Sequence, residues 1–144
     1  MPGLAAGLRA TVRAVVTSAD TAEAMGSGNL PVLATPRLLA LAEAATVAAV
    51  APQLADGLTT VGTAVSLEHR KASPLGAEIV VEAELTEVDG RRLVFGFIAR
   101  PAGADADVVV GAGTIERVVV DGARFLARAQ AKAPSPQTEP TQGG

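Results

Sequence analysis

Three polar residues stand where an apolar or exposed side chain would be the ordinary choice: Thr35, Glu43 and His69. Thr35 opens a long Leu- and Ala-rich run, Glu43 is the only charge in that run after Arg37, and His69 is the only histidine of the chain. These residue types suit acyl transfer. Backbone N–H groups at a helix start stabilise an oxyanion on a carbonyl. A carboxylate in a dry pocket serves as base toward water or as a direct nucleophile. An imidazole titrates in the useful range and moves the proton. Each residue also has a plainer role: Thr35 as a helix cap, Glu43 as the partner of an arginine in a second copy, His69 as a hydrogen-bonded core residue. Chemistry is favoured because the elements that carry them must pack on one another.

The first of these elements is a helix running to Val50. Thr35 is expected to cap it, with Pro36 at the first helical position, where a missing N–H costs nothing. Leu and Ala fill every side, which predicts burial all round, in a core or a membrane. The run stops at Pro52 and is mostly alanine, so a core helix wrapped by a sheet is the better reading. Residues three and four from Glu43 are Leu39, Ala40, Thr46 and Val47, so its counter-charge must come from another element. At 1.5 Å per residue, Thr35 and Glu43 lie about 12 Å apart and would flank a bound group rather than touch. The second element is a strand over 61–71. If it is regular, Val61, Thr63, Val65, Leu67 and His69 share the inward face.

The remaining elements frame these two. Residues 8–16 alternate as a strand with even positions inward, and 17–30, centred on Gly26-Ser27-Gly28-Asn29, read as a loop and candidate lid. Strands are expected over 78–88, 92–100 and 108–120, with Asp89-Gly90 marking a hairpin. Gly111 and Gly113 lack the strand–turn–helix context of a dinucleotide fingerprint and are expected to permit a bulge or bend. Residues 122–132 suggest a short helix, and 133–144 a disordered Pro/Ser/Gln/Gly tail. The order gives an α+β class: a single domain over 1–132, one long helix against a curled antiparallel sheet of about five strands. Its open sheet edges predict a homodimer.

Composition removes other classes. A net charge of −3 and the absence of Tyr and Trp argue against nucleic-acid binding. Without cysteine there is no thiolate catalysis or zinc–thiolate site, and a single histidine predicts no metal site. Arg9 and Arg13 interrupt the apolar N-terminal segment, so no signal peptide is read, and a cytoplasmic protein with no membrane span is expected.

The motif spelling is more specific. Val32-Leu33-Ala34-Thr35, Glu43, Gly62-Thr63-Ala64 with His69, Val88-Asp89-Gly90-Arg91-Arg92-Leu93, and Gly113-Thr114-Ile115-Glu116-Arg117 follow one another between about Val32 and Phe125. This series resembles the fluoroacetyl-CoA thioesterase family of hotdog-fold enzymes. The resemblance implies a five-stranded sheet around one helix, paired protomers with tetramers possible, and hydrolysis of a small or short-chain acyl-CoA. It implies Thr35, Glu43 and His69 as the catalytic set, with Gly62 and Arg117 beside the substrate. No cofactor is implied beyond the CoA of the substrate, whose phosphates could use Arg70, Lys71, Arg91 or Arg92. A hydratase or dehydratase on the same fold, or a module that only binds acyl-CoA, are the alternatives. The family enzyme carries lid phenylalanines before the Val-x-Ala-Thr segment. Here Met25-Gly26-Ser27-Gly28-Asn29-Leu30 holds no aromatic, and Pro36 replaces a glycine, so selectivity for fluoroacetyl groups is not implied.

Overall fold

The computed structural model describes residues 3–132; the tail at 133–144 lies outside them. Strands β1 (Arg9–Val15), β2 (Leu58–His69), β3 (Glu78–Asp89), β4 (Arg92–Pro101) and β5 (Gly111–Asp121) form one antiparallel sheet in the order β1-β3-β4-β5-β2. The long helix α2 (Thr35–Val50) packs on one face of it, and two shorter helices, α1 (Ala22–Met25) and α3 (Gly122–Lys132), lie before and after. The α+β architecture expected from the sequence is the one observed.

Alternation sets the inner face. β3 buries Ile79, Val81, Ala83 and Leu85, and β4 buries Leu93, Phe95, Phe97 and Ala99, each set two residues apart as the pleat requires. Leu38, Leu41, Ala42 and Ala45 of α2 pack on the Ile79–Phe97–Ile115 part of this face, while Ala49 and Val50 pack on Leu85, Leu93, Phe95 and Val119. Each large apolar side chain taken from water here contributes roughly 1.5–3 kcal/mol before entropy is counted. The small alanines let helix and sheet approach closely.

Three local expectations are corrected. Thr35 is not the cap: Ala34 holds the cap position without a side-chain bond, and Thr35 is the first helical residue, followed by Pro36. Nor is α2 buried all round. Pro36, Ala40, Ala44, Val47 and Ala48, spaced three and four apart, form an exposed apolar stripe facing away from this chain's sheet. Gly111 and Gly113 make no bulge; a Cβ on Gly113 would collide with the Ser66 carbonyl and one on Gly111 with Leu38 and the Glu68 carbonyl, so they admit close backbone approach. The bulges fall between Gly62 and Ala64 and between Leu85 and Glu87. In the β3–β4 hairpin, the loop is Gly90–Arg91, with Gly90 carrying the positive φ of 60°.

The Gly62/Ala64 bulge matters most. It places Thr60 and Gly62 on the same face as Val65, Leu67 and His69, because one extra residue inverts the alternation. Thr63 therefore points to the opposite face, where its hydroxyl donates to Glu116 at 2.6 Å. The regular-strand expectation was right from Val65 to His69 and inverted before it. On its other side β2 has no neighbouring strand among the described residues, and Val65 is 49% exposed.

Candidate active site

The start of α2 is set by the loop before it. Thr21 accepts the Ala24 N–H to cap α1, and Gly26 ends that helix in the left-handed region at φ 74°. Asp20 then binds the start of α2 twice: its carbonyl accepts the Ala34 N–H and its carboxylate the Arg37 Nε, each at 2.9 Å. The Thr17 backbone and hydroxyl, with Arg37, hold the Asp20 carboxyl below its ordinary pKa. At the helix start Pro36 has no N–H and the Leu38 N–H donates to the Ala34 carbonyl, leaving the Thr35 and Arg37 N–H groups without partners among the described residues.

Freed from capping, Thr35 bonds to the histidine. Its Oγ1 lies 2.8 Å from His69 Nδ1. The other ring nitrogen, Nε2, is buried and is the one buried side-chain polar atom among the described residues with no hydrogen-bond partner. Such an orphan costs about 1–3 kcal/mol, and unexplained ones concentrate where a ligand or water completes the bonding. Burial pushes the His69 pKa below 6.5, an effect the Lys71 backbone partly opposes. The imidazole is therefore neutral at pH 7. Thr35 and His69 line a cavity of about 240 Å³ whose wall includes Ala22 and Ser27, so the expected lid segment does border the site. No phenylalanine lines that cavity.

Glu43 finds its cation across the sheet. Arg117 Nη1 donates to Glu43 Oε2 at 3.1 Å, which answers the missing local partner. The Glu43 side chain is 37% exposed, against 8% for Arg117, so the carboxylate looks outward from a buried guanidinium. Thr60 fixes that guanidinium. Its hydroxyl accepts from Nε at 2.8 Å and its carbonyl from Nη2 at 3.0 Å, leaving Nη1 for the carboxylate. Gly62 completes the arrangement: a Cβ there would stand 2.8 Å from Glu43 Oε2 and 3.4 Å from Arg117 Nη1. Only glycine leaves the carboxylate its place.

The five residues singled out in the sequence thus form two groups, Thr35 with His69 and Glu43 with Gly62 and Arg117. No hydrogen bond joins the groups among the described residues; two helical turns of α2 separate them. Thr60 escaped the sequence reading, because on a regular strand it falls on the outward face and only the bulge turns it in. Of the cations considered for CoA phosphates, Arg92 is committed to Glu87 and Glu116, Arg70 and Lys71 border the His69 cavity, and Arg91 lies elsewhere.

The family model for the fluoroacetyl-CoA-specific thioesterase matches residues 16–123. The chain belongs to that family. It is 38% identical over 104 residues to the fluoroacetyl-CoA thioesterase of Streptantibioticus cattleyicolor, covering 72% of each chain. The crystal structure of a fluoroacetyl-CoA thioesterase superposes with a TM-score of 0.81 at 35% identity, over 92% of this chain and 99% of that one. A variant of that enzyme in complex with acetyl-CoA gives 0.82 at 33% identity, over 91% and 100%. A thioesterase superfamily member from Thermus thermophilus gives 0.80 at 26% identity, over 91% and 94%. Thr35, Glu43, Gly62, His69 and Arg117 all lie inside the matched segment, and residues 17–30 hold no phenylalanine.

Proposed function

We propose that this thioesterase hydrolyses a small or short-chain acyl-CoA to the free acid and CoA at the surface between Thr35–His69 and Glu43–Arg117. The reading is carried by one observation above all. The only imidazole is neutral, oriented by Thr35, and left with a buried unpartnered Nε2 two helical turns from an outward-looking carboxylate. In the reaction, Glu43 takes the proton of a water that attacks the thioester carbon, or attacks that carbon itself and is released by water in a second step. The oxyanion takes hydrogen bonds from the Thr35 hydroxyl and the free N–H groups of Thr35 and Arg37. With its Nδ1–H donated to Thr35 Oγ1, His69 takes up on Nε2 the proton released from water and passes it to the departing thiolate as the C–S bond breaks. Water is the only co-reactant, and no metal or cofactor enters beyond the CoA of the substrate.

The same reading includes a homodimer. The open edge of β2, the exposed Val65 and the apolar stripe of α2 are surfaces that a second copy would cover, with a tetramer of such dimers as a further step. Acyl-CoA substrates make the cytoplasm the expected compartment.

Free-thiol release from a panel running from acetyl-CoA to medium-chain acyl-CoA, with fluoroacetyl-CoA included, tests the proposal. Release with a short-chain optimum supports it. Saturable binding without release would replace it with a binding module, and conversion of the acyl group without free thiol with a hydratase or dehydratase.

A further inference from the structure

A second cavity, of about 470 Å³, lies away from Thr35 and His69 at the end of the sheet. β4 begins at Arg92, opposite Val118, so β5 runs on past it from Val119 to Asp121 and leaves a notch beside the hairpin loop. α3 folds over this notch. Arg91 comes from the hairpin and Arg124 and Arg128 from α3, so three guanidiniums line one cavity in a protein of net charge −3. None of the three makes an ion pair among the described residues. The one carboxylate in the lining, Asp121, is engaged in capping α3 through the Arg124 N–H at 3.1 Å. Arg124 and Arg128 are four residues apart on one helix, a like-charge pair that disfavours the helix unless an anion sits between them.

The notch is more than a basic surface. Its floor is apolar, formed by Val118 and Val120, and its rim carries Phe125. The chain has three phenylalanines; Phe95 and Phe97 are buried, while Phe125 is 45% exposed. Cations fix phosphate oxygens, and an aromatic face beside them takes a planar base by stacking. We propose that this notch binds a nucleoside phosphate, with its phosphates on Arg91, Arg124 and Arg128 and its base on Phe125.

Two sources share that chemistry: the nucleotide end of the CoA thioester, or a free nucleotide. The first rests on the proposed thioesterase function, and the position suits it. The lining residues on β5 lie one to four positions past Arg117, about 3–14 Å by strand rise. The pantetheine arm holds the phosphates well away from the thioester, so Arg70 and Lys71, immediately after His69, are placed too near the reacting carbonyl to serve them.

The test is calorimetric titration of the whole protein with 3′-phosphoadenosine 5′-phosphate, on wild type and on the Arg124→Gln/Arg128→Gln double variant. Both arginines are exposed, and glutamine keeps the helix propensity, so folding is preserved. Saturable, salt-sensitive binding that weakens at least tenfold in the double variant is expected. No binding to wild type, or equal binding to both, would overturn the proposal. Binding is read without turnover, so its failure is distinct from failure of the thioesterase reading. Kinetics then separate the sources. If the occupant is the substrate's own nucleotide, the ratio of kcat/KM for acyl-CoA over the N-acetylcysteamine thioester, which lacks the nucleotide, falls at least tenfold in the double variant. If that ratio holds while nucleotide binding is lost, the occupant is a free nucleotide.

Discussion

At the scale of single residues, the Glu43 carboxylate is positioned by what surrounds it rather than by its own helix. Arg117 holds it at 3.1 Å, Thr60 holds Arg117 with hydroxyl and carbonyl, and Gly62 leaves room for both. Thr60→Val strands the Arg117 Nε in a buried site. It should cost about 1–3 kcal/mol in denaturant unfolding and lower kcat, while Thr60→Ser restores both. An unaltered Thr60→Val enzyme would show that Arg117 needs no such anchor. Gly62→Ala should leave the fold intact, since this part of β2 is exposed, yet reduce kcat at least tenfold by pushing the carboxylate aside. Circular dichroism beside steady-state kinetics reads that outcome. In the sequence, Glu43 was visible as a charge without local partners, but the resemblance implied only that Arg117 lies beside the substrate, not that it pairs with Glu43. A contact 74 positions apart leaves no trace in spacing.

At the scale of elements, the bulge in β2 decides which residues meet. Strict alternation from Val61 would have placed Thr63 at the site and Thr60 outside it; the extra residue reverses both. Nothing local marks the bulge beyond Gly62 itself, because it arises from pairing with β5. The α2 start was misread for a related reason: Thr35 has the chemistry of a cap, but it bonds His69, and Asp20 from the preceding loop secures the helix instead. Helix, strands and hairpin were legible because periodicity and turn residues are local properties. His69 carries a pH prediction at this scale. Burial lowers its folded pKa below 6.5, so the unfolded chain binds the extra proton. Its contribution to stability is complete above pH 6.5 and is lost as pH falls from there toward the folded value. Denaturant midpoints between pH 8 and pH 5 should show this loss, and His69→Gln should remove it. Loss of the Asp20 contribution comes only at lower pH, as that group's depressed pKa is passed, so the two are separable.

At the scale of the molecule, the single chain leaves surfaces that a core helix and a long strand do not ordinarily expose. The α2 stripe is apolar and the β2 edge unpaired among the described residues, and no helix among them is long and apolar enough to cross a membrane. Sedimentation should give twice the 14.4 kDa chain mass. Val65→Lys, charging the edge strand, should shift that mass to the single chain and reduce activity with it. A wild-type protein that sediments as one chain would remove the dimer from this account. From the sequence a dimer could be expected only on the ground of open sheet edges, since which surfaces stay exposed depends on the tertiary packing of α2.

The most direct test of the central claim is thiol release by Glu43→Gln with the best substrate of the panel. Glutamine keeps the size of the side chain and can still accept from Arg117, but it cannot act as base or nucleophile. The account predicts loss of turnover by at least a thousandfold with the far-UV spectrum and oligomeric mass unchanged. Near-normal release by the folded variant would contradict it.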